Sequence, residues 1–193
     1  MHTLTRLALS TIFAAGCVSR NAQTRDALRP QSGALIVVHS YDSGLVGIHT
    51  ANSAIKLHVG RDAEQFQESV LFVEYPAPSA DPAGRDIQLA AESTDWSTGK
   101  AIAFRVKPER AIRLSISFID RNHVVYTAWT NLQSNQWQPV RIALDAIRPN
   151  PYFQPPDATP DRPIDVSDVR AIAFAPQDPL AGSLAISAIV IMK

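Results

Sequence analysis

The stretch that decides the fold is AIAFRVKPERAIRLSISFIDRNHVVYTAW, residues 101–129. In AIAFRVK (101–107) apolar residues alternate with small or basic ones, and IRLSISFI (112–119) repeats the alternation with Arg and Ser. Successive side chains of a β-strand point to opposite faces, so each segment predicts a strand with one apolar and one polar face. The turn residues DRNH (120–123) predict a hairpin into a third strand. Such strands are typical of an antiparallel sandwich.

Similar short apolar runs extend outward from this stretch to both ends of the region after residue 33. The predicted strands cover residues 34–38, 54–59, 69–75, 86–91, 101–107, 111–119, 124–129, 137–144, 171–175 and 183–192. About ten short strands separated by Pro, Gly and Asp predict an all-β, antiparallel β-sandwich spanning residues 33–193. No window predicts a convincing helix; residues 62–68 would form one turn at most.

The N-terminus has the layout of an export signal. Residues 1–16 join a short polar start to an apolar run that is too short to span a bilayer. The single cysteine, Cys17, follows Ala14-Ala15-Gly16, which resembles the bacterial lipobox except that Ala14 stands where Leu is usual. This resemblance implies a lipoprotein acylated (for example with palmitate) at Cys17. The alternative is an ordinary cleaved signal followed by a lone cysteine.

The segment after Cys17 is polar and without periodicity. Residues 17–32 are therefore predicted to be a lipid-bearing cysteine and a flexible tether. Val18 rather than Asp follows the cysteine, which by resemblance to such lipoproteins implies the outer membrane. The expected location is an exported, membrane-anchored protein facing the periplasm or the cell surface.

Composition excludes several functions. The 18 basic and 18 acidic residues balance, and no concentrated basic face is visible, so nucleic acid is not expected as a partner. The chain has no nucleophile elbow, phosphate-binding loop or dinucleotide fingerprint, and catalysis is therefore unsupported. The histidines of the predicted domain lack metal-ligand spacing. We expect these histidines to be solvated or in turns; they are His39, His49, His58 and His123.

Four motifs occur in an order that matches a known family. They are DWS (95–97), AIAFRVK (101–107), NQWQPVRIAL (135–144) and PIDVSDVRAIAFAP (163–176). Together they resemble the galactose-binding-like jelly rolls, particularly carbohydrate-binding modules and the complex I intermediate-associated proteins. The resemblance extends from Leu35 to Met192 and implies a jelly-roll sandwich.

The residues that carry the resemblance have structural explanations. Asp95 can cap a turn and Trp96 can bury its ring against the sandwich. Trp137 is suited to closing the barrel end, and Asp165, Ser167 and Asp168 can form an Asx-type turn. We therefore expect these residues to maintain the fold rather than to bind ligand.

Many members of these families bind calcium, but this chain lacks the expected carboxylates. Its first strand has none, and Ser187 stands where the closing strand would supply Asp. Asp42 and Glu74 could contribute oxygen ligands, yet calcium needs several. We expect no metal and no cofactor, with calcium as the doubtful exception.

The polar face of the predicted sheet is the best candidate for a ligand site. Alternation assigns Arg105 and Arg113 to this face, and either Tyr126 or Trp129 can join them, but not both. A Trp129 ring beside the two arginines would make a platform for a glycan. The alternative is that Trp129 is a core or edge residue and that the arginines are ordinary surface charges.

Two functions remain open at this point. One is a non-catalytic, carbohydrate-binding-like module of an envelope lipoprotein. The other is a protein-protein interaction or assembly factor of the complex I intermediate-associated type, with another envelope protein as its partner. The contact would then be the proline-rich loop 145–169, in which we expect Tyr152 and Phe153 to be buried against the domain. An enzyme is a more distant third.

Overall fold

The structure is a computed structural model and describes residues 35–63, 68–78 and 84–193. The predicted signal peptide, Cys17, the tether and residues 64–67 of the predicted helical turn lie outside the described residues.

Strands dominate the described part of the chain, and the only helical element there is a single 3-10 turn, Leu144–Ala146. The strands are β1 (Ile36–His39), β2 (Ile48–His49), β3 (Lys56–Gly60), β4 (Val70–Tyr75), β5 (Ile87–Ala90), β6 (Ala101–Pro108), β7 (Ile112–Asp120), β8 (Val125–Leu132), β9 (Gln138–Ala143), β10 (Arg148–Pro149), β11 (Val169–Pro176), β12 (Gly182–Ile186) and β13 (Ile189–Met192). No helix within the described ranges is long and apolar enough to cross a membrane.

The strands form two antiparallel sheets. Sheet A has the order β1-β13-β6-β12-β4-β3, with β9 on the other side of β6, and sheet B has the order β10-β8-β7-β11-β5-β2. In sheet A, β12 and β13 both pair with β6 and are separated by a break at Ser187 and Ala188. The predicted all-β antiparallel sandwich is confirmed.

The core lies between the two sheets and follows the predicted alternation. The large inward-facing residues of the two long central strands are buried: Ile102, Phe104 and Val106 from β6, and Ile112, Leu114, Ile116 and Phe118 from β7. Phe104 of sheet A meets Phe174 of sheet B edge to face, with ring centroids 5.3 Å apart. Each such side chain contributes about 1.5–3 kcal/mol by leaving water.

The residues expected to maintain the fold do so. Asp95 Oδ1 accepts a hydrogen bond from the Ser97 N–H at 2.9 Å, which closes an Asx turn. Trp96 is fully buried, and its indole N–H donates to the carbonyl of Ser93 at 2.8 Å. Asp165 likewise accepts from the Ser167 N–H at 3.1 Å.

His39 differs from the expectation that the histidines are solvated or in turns. Its side chain is buried, and its Nδ1 accepts a hydrogen bond from the Tyr41 N–H at 3.3 Å. Tyr41 has a positive φ of 63° and is itself buried, so the chain folds back tightly over the imidazole. Burial lowers the pKa of His39, with a smaller opposing effect from Glu92.

Candidate functional site

The outer face of sheet B can be assigned from the strand register. Residues paired with buried core positions face inward, and their neighbours along each strand face outward. Ser115 of β7 pairs with Trp129 of β8 and with Ala175 of β11. The outward residues of the other rows are Arg113 and Asn131 in one row, Arg148, Thr127, Ser117, Ala173, Gln88 and His49 in the next, and Val125, Ile119, Ala171 and Ala90 in the last.

Trp129 and Arg113 form the most prominent feature of this face. The Arg113 guanidinium carbon lies 4.3 Å from the centre of the Trp129 ring, a cation-π arrangement. Trp129 is 38% exposed, whereas Trp96 is fully buried, so Trp129 is not a core residue. The sequence interpretation of Trp129 and Arg113 as partners on one face is confirmed, and their role in binding stays a prediction.

Small side chains make up the middle of the same face. Ser115 and Thr127 have their hydroxyl oxygens 3.4 Å apart, and both are buried. Ala173 and Ala175 continue this floor onto β11. Because these side chains are short and Trp129 is long, the face forms a shallow trough with an aromatic wall.

A small cavity of about 260 Å³ lies where this trough meets the end of β11. Its lining includes Ala175 and Gln177, together with Arg85 and Asp86 from the segment just before β5. Asp86 pairs by extension of the β5 register with Ala175, which places it on the outer face. The cavity thus lengthens the trough beyond the floor.

Arg105 is not part of this face. It lies on β6 of sheet A between the buried Phe104 and Val106, so it points to the outer face of sheet A. The expectation that Arg105 and Arg113 share a face is wrong, because β6 and β7 belong to different sheets. The two arginines lie on opposite sides of the sandwich.

Tyr126, the alternative to Trp129 as the aromatic residue of this face, does not lie on it. It pairs with Phe118 on the inner face of sheet B and is fully buried. Its hydroxyl lies 3.1 Å from the carbonyl oxygen of Pro163 and 3.4 Å from Asp120 Oδ2. Burial, reinforced by the Asp120 carboxylate, raises the pKa of Tyr126 to about 12. Tyr126 therefore has a structural position.

Asp120 organises this buried end of the sandwich, a role that sequence reasoning missed. Its carboxylate is fully buried and accepts hydrogen bonds from the N–H groups of Asn122 at 2.9 Å and Val124 at 3.2 Å. The Asp165 N–H donates to the other oxygen at 3.4 Å. One side chain thus joins the hairpin to the end of the proline-rich loop.

The proline-rich loop is fixed at Gln154 rather than through its aromatic rings. Gln154 Oε1 accepts from the Val125 N–H at 3.0 Å, and its Nε2 donates to the Val125 carbonyl at 2.6 Å. Asn150 Oδ1 accepts from the Tyr152 N–H at 2.9 Å. Tyr152 and Phe153 are 85% and 63% exposed, so the expectation that they are buried is wrong.

A second groove lies on the outer face of sheet A, and the sequence pattern of the strands does not predict it. The rings of His58 and Phe72 stack there with centroids 4.7 Å apart. The groove has a volume of about 290 Å³ and is also lined by Asp62 and Lys107, whose charged atoms are 3.9 Å apart. Trp137 donates to Asp62 at 3.3 Å beside this groove rather than closing the barrel end.

The residues considered for calcium have other contacts. Ser187 Oγ accepts from the Arg105 N–H at 2.8 Å at the break between β12 and β13. Glu74 pairs with Lys56 at 3.4 Å, and Asp42 lies 3.5 Å from the Ser69 hydroxyl. In the described part of the chain, no three His, Cys, Asp or Glu side chains cluster so as to hold a metal ion.

Comparison with known sequences and structures gives contrasting results. No protein-family model and no curated protein sequence matches the chain. Solved structures do match: the family 11 carbohydrate-binding module of a cellulosomal cellulase from Clostridium thermocellum has a TM-score of 0.61 at 15% identity, covering 83% of this chain and 95% of that one.

Two further structures are similar. The family 30 carbohydrate-binding module of another Clostridium thermocellum cellulase has a TM-score of 0.57 at 14% identity, covering 83% of this chain and 98% of that one. An exo-β-agarase has a TM-score of 0.58 at 13% identity; the match covers 81% of this chain but 24% of the agarase. The fold of this chain is therefore the jelly-roll sandwich of these carbohydrate-binding modules, as the sequence resemblance predicts.

Proposed function

We propose that this chain is a non-catalytic carbohydrate-binding module whose ligand lies along the outer face of sheet B. The observation that carries the proposal is the half-exposed Trp129 ring, held by Arg113 above a floor of Ser115, Ala173 and Ala175. Sugars present apolar C–H faces that stack on aromatic rings, and their hydroxyls bond to planar polar side chains. A low floor beside a fixed ring leaves room for a chain of such units.

The similar structures support the same reading. The family 11 module with this fold has been solved in complex with a β-1,3-1,4-mixed-linked tetrasaccharide, at 15% identity and a TM-score of 0.61. We infer that oligosaccharide binding extends to this chain, with its own side chains deciding which oligosaccharide.

Trp129→Ala tests the proposal. We expect the purified protein to bind at least one member of a panel of soluble glycans, including mixed-linked glucan and agarose oligosaccharides, in calorimetric titration. Removal of the ring should weaken that binding by at least about tenfold, because a central aromatic contact carries much of the energy of an interface. Tyr152→Ala is the matched control, since it removes an exposed ring of the proline-rich loop, outside the strands of this face. Absence of binding to every glycan at millimolar concentration would refute the proposal.

The envelope location is part of this proposal. We propose that Cys17 is acylated and holds the module at the outer membrane, as the lipobox-like Ala14-Ala15-Gly16 sequence indicates. Intact-mass measurement of the membrane-extracted protein should find the mass of the attached acyl groups, and Cys17→Ser should release the protein into the soluble fraction. A membrane-free wild-type protein would refute the anchor without affecting glycan binding.

A second candidate function is favoured by the exposed pair Tyr152 and Phe153. Two large rings held outward by an Asx turn at Asn150 would suit contact with another envelope protein. A photo-crosslinking residue at position 152, expressed in the native cell, should then give one discrete adduct that Phe153→Ala reduces. A crosslinker at position 157 in the same loop is the control, and equal labelling from both positions would reject this function.

A further inference from the structure

Around Trp129, the charged groups on the outer face of sheet B are of one sign. Among the outward residues that the strand register pairs, the ionised side chains are Arg113 and Arg148, and none is a carboxylate; Arg170, at the bulge of β11, is paired with Asp168. Asp86 precedes β5 and lies about 14 Å from Trp129, at three strand spacings across the sheet. The part of the face around Trp129 therefore offers charged donors without a charged acceptor.

Arg113 is positioned but has unused donors. Its guanidinium lies over the Trp129 ring, and within the described residues its side chain makes no hydrogen bond or ion pair. The contact with the ring leaves N–H donors of the planar guanidinium for other partners. This is the geometry in which an arginine can donate two parallel bonds to one anion.

Arg148 is positioned in a different way. It lies on the edge strand β10 opposite Thr127, and its Nη1 donates to the main-chain carbonyls of Asp145 and Ile147. These bonds are to neutral oxygens, so among the described residues no carboxylate neutralises it. Its remaining donors are available on the exposed edge of the same face.

Arginines near the end of the same sheet behave differently. Arg121 lies 2.9 Å from Asp165, and Arg170 lies 2.6 Å from Asp168. The chain therefore supplies carboxylate partners to arginines that support its loops. Among the described residues, the two arginines on either side of Trp129 have no carboxylate partner.

We propose that the ligand of this face is an acidic glycan, carrying carboxylate or sulfate groups, an inference that rests on the proposed carbohydrate-binding function. Arg113 and Arg148 are separated by two strands and four residues along β8, about 16 Å, with Trp129 between them. A sugar ring stacked on Trp129 would thus carry its acidic neighbours towards one arginine on each side. Arg113 and Arg148 can only donate hydrogen bonds. An anionic group on the sugar is therefore a better partner for them than the hydroxyls of a neutral sugar.

Matched pairs of glycans test this inference. The probes are polygalacturonate and its methyl ester, and chondroitin sulfate and its desulfated, methyl-esterified form, together with mixed-linked glucan as a neutral reference. Affinities are measured by calorimetry with wild type, Arg113→Gln, Arg148→Gln and Trp129→Ala. Arg141→Gln, which removes an exposed positive charge from β9 on the other sheet, is the matched control.

The expected result is at least tenfold tighter binding of the acidic member of one or more pairs than of its neutral counterpart. Arg113→Gln and Arg148→Gln should each reduce that preference by about tenfold, and Arg141→Gln should leave it unchanged. The preference should also shrink as salt is raised. Equal or better binding of the neutral members, with loss in Trp129→Ala, would overturn the acidic ligand while leaving glycan binding intact. Failure of every probe to bind would reject both this inference and the function on which it rests.

Discussion

The buried Asp120 carboxylate allows the sharpest test of how the fold is held around the candidate site. Asp120→Ala removes the acceptor used by the N–H groups of Asn122 and Val124, at 2.9 and 3.2 Å. Two further donors, the Tyr126 hydroxyl and the Asp165 N–H, are each 3.4 Å away and contribute less. A hydrogen bond to a charged group contributes about 1.5 kcal/mol or more, so the two short bonds amount to about 3 kcal/mol.

Thermal and urea unfolding monitored by circular dichroism measure this loss. For a domain of this size each kcal/mol lowers the Tm by about 2–4 °C, so Asp120→Ala should lower it by roughly 9 °C. Asp145→Ala, which removes an exposed carboxylate near the same loop, is the control and should change stability by less than about 0.5 kcal/mol.

A double-mutant cycle of Asp120→Ala and Tyr126→Phe separates the contribution of the hydrogen bonds within the hairpin from that of the contacts with the loop. Tyr126→Phe removes only the hydroxyl, which also lies near the Pro163 carbonyl, and should cost about 1 kcal/mol. It should leave glycan affinity unchanged, because Tyr126 is buried on the inner face. The assignment of Asp120 as the organiser of this end would be refuted if its removal cost less than 1 kcal/mol. A loss of glycan binding in Tyr126→Phe at unchanged stability would restore Tyr126 to the ligand site.

Two further predictions concern stability away from the site. Gly99→Ala should destabilise the protein by about 1–3 kcal/mol in urea unfolding, because an added Cβ would lie 2.0 Å from Ile191 Cγ2 in the core. Unchanged stability would mean that the strands separate easily there. Stability should fall as the pH drops below 6.5 towards the lowered folded-state pKa of His39, since the unfolded chain then binds more protons than the folded one. His39→Gln should flatten this slope, and a slope identical to wild type would assign the effect to another group.

Alternation along each strand was enough to predict which side chains of the long strands are buried. It cannot reveal which sheet a strand joins, and for this reason the prediction that Arg105 and Arg113 share a face is wrong. The short link between β6 and β7 carries the chain from one sheet to the other, so two successive strands with the same pattern present their polar faces in opposite directions. Strands β2 and β10 have two residues each, too few for any period to be visible.

Hydrophobicity alone also misled the interpretation of individual side chains. Tyr152 and Phe153 are apolar enough to be buried, but Asn150 and Gln154 satisfy the main chain around them and hold the turn away from the domain. His39 is polar enough to be solvated, yet a left-handed Tyr41 folds the chain over it. In both cases local hydrogen bonds to the main chain decide the exposure, and such bonds leave no period in the sequence.

The two outer faces of the sandwich carry different side chains, and this difference supports the proposed position of the ligand on sheet B. On sheet A, the outward residues Val70, Phe72 and Trp137 form a small apolar cluster of their own, beside the groove lined by His58 and Lys107. On sheet B, the positions beside Trp129 are Ser115 and Ala175, with Ala173 in the next outward row, and these short side chains gain little from packing. A row of small residues in the middle of an exposed sheet, bordered by an ordered tryptophan, gives up the stability that larger side chains would add. We infer that the small side chains are kept because they leave room for the proposed flat ligand.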